Sequence, residues 1–194
     1  MANRRRAVMM TAMLSAVSVI LMYLEFPLPF FIPPFIKMDF SDLPALIAGF
    51  SMGPVSGVAV CLIKNLVHAL ASMSGGVGEL ANFILSGVFT AVASLAYAIR
   101  KTRKTALLGS VAGAFCMALV SVPMNLYVVY PIYYSLLAPE EAVLSAYQAL
   151  LPVRSVAQAL WVFNVPFTFA KGILCGALCF LVYKRLSGFI KGKS

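Results

Sequence analysis

The sequence predicts an all-α integral membrane protein with six transmembrane helices, and its composition and length carry this prediction. Hydrophobic residues make up 62% of the 194-residue chain and charged residues only 11%, with a mean hydropathy of +0.95. These values lie far outside the range of soluble globular proteins. A helix that crosses a bilayer needs about 20 apolar residues, so a chain of this length supplies roughly six helices and little else. We therefore expect residues 1–194 to form a single membrane domain.

Apolar segments predict helices at about residues 7–25, 42–52, 54–73, 78–99, 105–130 and 155–185. A long outer loop rich in proline separates the first helix from the second. The second helix is short, and Gly53 and Pro54 predict a tight turn after it, because proline cannot continue the preceding helix. The alternative is a single kinked helix over 42–73, which gives an odd number of spans and puts the termini on opposite sides.

Charged residues favour the topology with six spans. Short cytoplasmic loops of membrane proteins carry excess lysine and arginine. With a cytoplasmic N-terminus, the basic clusters at residues 4–6, at 100–104 and from 184 onward all lie on the inner side. Both termini are therefore expected in the cytoplasm. The acidic residues fall at outer helix ends or in outer loops, at Glu25, Asp39, Asp42, Glu79, Glu140 and Glu141.

The composition also argues against several classes of function. Basic residues confined to inner loops orient a membrane protein and meet anionic lipid, so the net charge of +9 does not indicate nucleic-acid binding. His68 is the only histidine, and no GxxxxGK[ST] loop is present, which disfavours a catalytic triad and ATP hydrolysis by this chain. The chain is not expected to be an enzyme. No metal site is expected either, because the cysteines have no CxxC spacing and lie within predicted helices, at Cys61, Cys116, Cys175 and Cys179.

Two lysines lie in the middle of predicted spans. Lys64 has His68 one turn later on the same helical face, and Lys171 shares a face with Asn164 and Thr168. An ionisable residue inside the bilayer costs several kcal/mol and faces a partner or a wet cavity, so it marks a candidate functional site. For Lys64, a purely structural polar cluster is an equal alternative.

Further polar residues near the outer half of the helices suggest one pocket. Asn125 follows a proline and could satisfy a freed carbonyl, while Glu79 and Asn82 could simply begin a helix. A shared pocket explains polar groups from four helices more economically than four local causes. The walls of this pocket are expected to be aromatic, which suits a flat heteroaromatic ligand with a polar tail. The aromatic residues expected to form them are Phe40, Tyr127, Tyr130, Tyr133, Tyr134, Trp161, Phe163 and Phe167.

Three stretches carry a resemblance to a known family: KMDFSDLPALIAGFSMGPVSGVAVCLIKNLVHAL, VGELANF and VPFTFAKG. They resemble the substrate-binding S component of energy-coupling factor (ECF) transporters, and within that group the riboflavin transporters. The resemblance covers essentially the whole chain and is most specific over residues 37–68. It implies a prokaryotic multi-pass plasma-membrane subunit that binds riboflavin from outside and needs no cofactor. It also implies partners that use ATP, namely a membrane coupling protein and two cytoplasmic ATPases.

The resemblance also implies roles for individual residues. The first outer loop covers the pocket, which makes residues 37–42 part of a lid or its anchor. The expected substrate-binding residues are then Asp39, Phe40, Lys64, Glu79, Asn82, Asn125, Asn164, Thr168 and Lys171. Thr168 departs from the family, which commonly has asparagine three residues before the lysine of the last helix. A pair of small residues in the first helix is expected to meet the coupling protein, with the residues Ala12, Ser15 and Ala16.

Two other functions stay open at the level of sequence. Another vitamin, such as thiamine, pantothenate or folate, could replace riboflavin within the same family. Alternatively, the chain could be an autonomous ion-coupled secondary transporter that uses Lys64, His68 and Glu79 as a relay. The sequence contains no internal repeat of the kind that many secondary transporters carry.

Overall fold

The computed structural model describes residues 2–72 and 75–191, with side chains at 5–72 and 75–182. It is mainly helical, and a short antiparallel ribbon of β1 (Phe26–Pro27) and β2 (Lys37–Met38) lies between the first two helices. The basic residues from 184 onward lie outside the described side chains. The helices are α1 (Ala2–Tyr23), α2 (Asp42–Met52), α3 (Pro54–Ala69), α4 (Val77–Ile99), α5 (Arg103–Met124), α6 (Tyr130–Leu136), α7 (Glu140–Gln148), α8 (Val156–Ala159) and α9 (Val165–Lys191).

Helix length separates these elements into two groups. At 1.5 Å per residue, the 11 residues of α2 and the 16 residues of α3 fall short of a hydrocarbon core about 30 Å thick. Within the described part of the chain, four helical stretches are long and apolar enough to cross a membrane. They are Arg5–Tyr23, Val77–Ile99, Arg103–Leu136 and Val156–Val182.

Helices α2 and α3 form a tight hairpin and not one kinked helix. Gly53 joins them with a φ of 103°, a conformation that residues with a side chain rarely adopt. The two helices then pack closely, since a Cβ on Gly57 would lie only 3.0 Å from the Ala45 carbonyl oxygen and 3.0 Å from the Gly49 Cα. The chain therefore enters the bundle along α2, turns at Gly53, and runs back along α3 to the end at which α2 began.

The hairpin lies along α1 over most of its length. The Ser18 hydroxyl donates to the Ser41 carbonyl at 2.5 Å, just before α2 begins. The Thr11 hydroxyl lies 3.9 Å from the sulfur of Met52, where α2 ends. Helix α3 then runs back beside α1, so that its C-terminal end lies near the C-terminal end of α1.

Glycines allow α5 to approach its neighbours closely on both sides. A Cβ on Gly113 would lie 2.6 Å from the Phe89 carbonyl oxygen of α4, and a Cβ on Gly172 of α9 would lie 2.6 Å from the Ala114 Cβ. Small residues one turn apart let helix backbones approach in an apolar medium. The Gly-x-x-x-Gly patterns beginning at residues 109 and 172 are therefore used inside the fold.

The small pair on α1 is arranged differently. Ala12 and Ala16 are exposed on the outer face of the helix. Ser15, expected with them at a partner surface, is instead buried with 2% exposure, and its hydroxyl donates to the Thr11 carbonyl at 2.8 Å. Of the three residues predicted for a partner surface, the two alanines are therefore the exposed ones.

Two π-helical turns widen the long helices at Asn125–Val129 and Leu160–Asn164. The Tyr130 amide donates to the Asn125 carbonyl, and the Val165 amide donates to the Leu160 carbonyl, five residues back in each case. A proline follows each turn closely, and proline can neither donate an amide bond nor fit against the carbonyl four residues before it. The wider turn accommodates this break without ending the helix.

The end of the predicted fifth helix at 130 differs from the structure. Past the first π turn, α6 continues the helical stretch to Leu136. The amphipathic helix α7 then packs against this end of the bundle, where its Tyr147 is fully buried. Val143 and Tyr147 lie one turn apart and form the buried side of α7.

Candidate functional site

A cavity of about 530 Å³ opens at the end of the bundle where α1 and α3 finish and α4 and α9 begin. Such a volume lies within the usual range for small-molecule sites. The polar lining residues include most of the predicted substrate-binding set, namely Asp39, Glu79, Asn82, Asn125, Asn164, Thr168 and Lys171. Other lining residues contribute apolar and aromatic surface or lie near the opening, including Met22, Tyr23, Glu25, Phe35, Ile36, Lys37, His68, Leu85, Met117, Val129, Tyr130, Tyr133, Leu137 and Phe167.

One wall of the cavity contains a buried ion pair. The Lys171 ammonium donates to Asp39 Oδ2 at 2.6 Å, which joins α9 to the segment between β2 and α2. Asp39 Oδ1 accepts from the Ser41 amide at 2.8 Å and from the Ser41 hydroxyl. Burial alone would raise the pKa of Asp39, but Lys171 and Lys64 hold that pKa well below its usual range. The carboxylate is therefore anionic and anchors the loop to the last helix.

Lys64 lies behind this wall and does not line the cavity. Its ammonium donates to Asp42 Oδ1 at 2.5 Å and to the Ser41 hydroxyl at 2.6 Å, and its side chain has no exposed surface. Asp42 Oδ2 lies 3.9 Å from the Lys171 ammonium. Two lysines and two aspartates therefore form one charge-balanced cluster, called the charge cluster below, with Lys64, Asp42, Asp39 and Lys171.

Phe40 is the other predicted residue outside the cavity lining. Its ring is partly buried and packs against the core formed by α2, α4, α5 and α9, with its centroid 6.4 Å from that of Phe26. Successive side chains of an extended segment point to opposite sides, so Asp39 faces the cavity and Phe40 points away from it. Phe40 therefore helps to hold the ribbon and loop against the bundle.

Asn164 ends the second π turn and belongs to a buried chain of hydrogen bonds. The Tyr147 hydroxyl lies 2.7 Å from Asn164 Oδ1, to which it donates, and the Tyr130 and Tyr147 hydroxyl oxygens are 2.6 Å apart. Burial raises the pKa of Tyr147 to about 12, so this phenol keeps its proton at neutral pH. The Asn164 amide nitrogen carries two hydrogens and so keeps donor capacity for a further partner.

Other polar side chains in the lining also retain free hydrogen-bonding groups within the described part of the chain. Asn125 donates through Nδ2 to the Ser121 carbonyl at 2.7 Å, and no described donor reaches its Oδ1. The side chains of Asn82 and Thr168 form no hydrogen bond with a described residue. The cavity therefore presents amide, hydroxyl and ammonium groups among apolar walls.

Ionisable side chains also meet at the cavity opening. His68 Nδ1 lies 2.9 Å from Glu79 Oε1, and the Tyr23 ring centroid lies 4.8 Å from that of His68. Lys37 pairs with Glu25 across the ribbon. Lys37 was expected in the loop that covers the pocket, whereas Glu25 was not predicted as a site residue. The opposite charges of these two residues on either side of one loop are the signal that could have identified Glu25.

Tyr147 is the most important residue of this region that the sequence did not indicate. The run from Glu140 to Tyr147 has two acids at its start and apolar residues one turn apart, which is the pattern of a short amphipathic helix. That pattern could have identified α7. Within the described residues, no group of three or more His, Cys, Asp and Glu side chains could hold a metal ion.

Comparisons with known proteins agree with this arrangement. The family model described as "ECF transporter, substrate-specific component" matches residues 6–183. The chain is 33% identical to the riboflavin transporter RibU of Staphylococcus aureus, over 93% of this chain and 89% of that protein. It is 29% identical to the riboflavin transporter FmnP of Bacillus subtilis, over 96% of this chain and 94% of that protein.

A solved structure gives the same picture at the level of the fold. It is described as the S component of a bacterial ECF transporter, and it superposes with a TM-score of 0.77 at 31% identity. The match covers 97% of this chain and 99% of the solved chain. These relatives are subunits of transporters and not enzymes. The chain belongs to the family of substrate-specific components of ECF transporters.

Proposed function

We propose that this chain binds riboflavin in the cavity and delivers it to an ECF module for import. The observation that carries the proposal is a cavity that combines amide, hydroxyl and ammonium groups with aromatic walls. Riboflavin has a flat ring system with carbonyl and imide groups along one edge and a tail of hydroxyl groups. The relatives named riboflavin transporters support this ligand over thiamine, pantothenate or folate.

The site residues divide into two roles in this proposal. Groups with free hydrogen-bonding capacity contact riboflavin directly, while the pairs at the opening and behind the wall hold the loop and helix ends in place. Lys64 and Phe40 belong to the second group because neither lines the cavity, and Glu79 belongs to it because its carboxylate contacts His68 at the opening. The proposed contact residues are Asn82, Asn125, Asn164, Thr168 and Lys171.

The proposed topology has six membrane crossings in one membrane domain, with both termini in the cytoplasm. The basic residues at 100–104 join the ends of α4 and α5 remote from the cavity, and the positive-inside rule places such a loop in the cytoplasm. The cavity then opens outward. Because the α2–α3 hairpin returns the chain to its starting side, the termini share a side even if the short hairpin stops within the bilayer. The plasma membrane is the proposed location.

The outer face of α1 is the proposed contact with the membrane coupling protein. A groove of about 340 Å³ runs between α1 and α3 beside Ala12, and most of its lining residues are small or β-branched. In lipid, the hydrophobic effect does not drive helices together, so helix association depends on close packing. A groove lined by small and β-branched residues allows a helix of the coupling protein to pack closely. The groove is lined by Ala7, Val8, Thr11, Ala12, Val55, Ser56, Ala59 and Ile63.

Replacing Ala12 with leucine tests this contact. The larger side chain fills the groove, so we expect riboflavin uptake to fall by about tenfold or more while the riboflavin Kd changes by less than about twofold. Uptake of labelled riboflavin and fluorescence titration of the purified protein measure the two effects. Ala142→Leu is the matched control, since Ala142 is exposed on α7 at the other end of the molecule. Normal uptake in Ala12→Leu would remove the groove from the proposed interface.

Reconstitution in liposomes tests the proposed function against autonomous transport. We expect uptake of labelled riboflavin only when the coupling protein, both ATPases and ATP are present. Proton and sodium gradients are applied to liposomes that contain this chain alone. Uptake driven by either gradient without the module would overturn the proposal and favour a secondary transporter.

A further inference from the structure

Three side chains from separate helical segments form a hydrogen-bonded relay beside the cavity. Tyr130 lies in α6, Tyr147 in α7 and Asn164 in the second π turn. Tyr130 and Asn164 line the cavity, whereas Tyr147 lies behind them with no exposed surface. The hydroxyl of Tyr147 is the central member, 2.6 Å from the Tyr130 hydroxyl and 2.7 Å from Asn164 Oδ1.

The direction of each hydrogen bond follows from the number of available protons. A tyrosine hydroxyl has one hydrogen to donate, and Tyr147 gives it to Asn164 Oδ1. Tyr130 must therefore donate to the Tyr147 oxygen. With its carbonyl oxygen engaged by Tyr147, Asn164 has its amide nitrogen, a donor of two hydrogens, left for other partners.

We propose that Tyr147 is a positioning residue that fixes the Asn164 amide with its donor towards the ligand. The inference rests on the proposed function, in which Asn164 contacts the bound molecule. An amide can rotate by half a turn with little change in shape, and it then exchanges donor for acceptor. The buried phenol removes this ambiguity, and the site selects a ligand that places a carbonyl oxygen at Asn164.

The position of Tyr147 makes the assignment specific. It contributes no surface to the cavity and cannot itself bind the ligand within the described arrangement. Its ring packs on Phe163, with centroids 5.5 Å apart, and edge-on to Phe35 at 6.0 Å. Phenylalanine at 147 would retain these ring contacts and lose only the hydroxyl group. The substitution therefore removes the two hydrogen bonds of the hydroxyl without changing the packing of α7, and the Asn164→Ala background separates the bond to Asn164 from the bond to Tyr130.

The test measures the riboflavin Kd of Tyr147→Phe alone and in an Asn164→Ala background. We expect Tyr147→Phe to weaken binding by about tenfold in the wild-type background, as the loss of one preorganised hydrogen bond predicts. In the Asn164→Ala background the same change should alter the Kd by less than about twofold, because Tyr147 acts through Asn164. Tyr134→Phe is the matched control, since the Tyr134 hydroxyl bonds to no described residue.

Each outcome of this cycle has one meaning. An unchanged Kd in Tyr147→Phe, or an equal loss of affinity in both backgrounds, overturns the inference, since a structural role of α7 would act independently of Asn164. Thermal unfolding without ligand checks that each variant is folded. Failure of the wild-type protein to bind riboflavin would overturn the proposed function itself. The differences between variants test only the role of Tyr147.

Discussion

Replacing Lys64 with methionine is expected to prevent accumulation of stable folded protein. The change keeps an unbranched side chain but leaves the fully buried Asp42 carboxylate without its nearest cation and the Ser41 hydroxyl without its donor. Removing one partner of a buried ion pair lowers the free energy of unfolding by about 3–5 kcal/mol. Because folded proteins retain a net stability of only about 5–15 kcal/mol, this loss is large. Thermal unfolding in detergent and the yield of monodisperse protein measure it.

Two further variants separate the buried pair from a general effect of charge removal. Lys37→Met is the matched control, since the ammonium of Lys37 pairs with Glu25 at an exposed site and such pairs contribute little. Lys64→Met combined with Asp42→Leu removes both charges and should recover much of the stability, as replacement of a buried pair by apolar groups often does. A melting temperature of Lys64→Met equal to that of the wild type would contradict the role assigned to the charge cluster.

Replacing Lys171 with methionine is expected to weaken riboflavin binding by about a hundredfold or more. Lys171 lines the cavity and pairs with Asp39, so its loss removes a cationic donor and releases the anchor of the loop at the same time. A hydrogen bond to a charged group contributes more than a neutral one, and the unpaired Asp39 adds an uncompensated negative charge beside the ligand. Fluorescence quenching of riboflavin gives the Kd.

A second substitution shows which of these two effects dominates. Asp39→Asn together with Lys171→Met removes both charges, and we expect it to bind better than Lys171→Met alone, because no buried carboxylate is left unpaired. Lys101→Met, at the opposite end of the molecule, should leave the Kd unchanged. Wild-type affinity in folded Lys171→Met protein would place the ligand elsewhere.

The sequence predicts the membrane class and the cavity because both depend on simple rules. Apolar composition indicates helices in a bilayer, and polar residues at membrane depth indicate a cavity. Asn164, Thr168 and Lys171 share a helical face, and the structure places all three in one lining. Periodicity within a single helix was sufficient for these residues.

The ion pair between α2 and α3 could be predicted only by first assuming how the hairpin aligns its two helices. Asp42 precedes Gly53 by eleven residues and Lys64 follows it by eleven, so an antiparallel hairpin with its turn at Gly53 places them opposite each other. The sequence contained this symmetry, but a hairpin alone does not show on which side of the cavity wall the pair lies. Lys64 was therefore expected in the cavity, and the structure places it behind the wall.

The relay through Tyr147 could not be predicted from local pattern. Burial of Tyr147 depends on how α7 folds back over α6 and the second π turn, which no helical periodicity encodes. The π turns themselves arise from prolines at 131 and 166, and proline within a helix predicts a break without specifying its form. The burial of Tyr147 and the form of the π turns depend on tertiary packing, so the surroundings of Asn164 could not be predicted from the sequence.

Titration of riboflavin into the purified protein, with flavin fluorescence as the signal, shows whether this cavity binds riboflavin. We expect saturable quenching at one riboflavin per chain, with a weaker Kd in Asn164→Ala and an unchanged Kd in Lys101→Met. Absence of quenching in folded wild-type protein would contradict riboflavin as the ligand. Quenching that is the same in Asn164→Ala and Lys171→Met as in the wild type would contradict the assignment of this cavity.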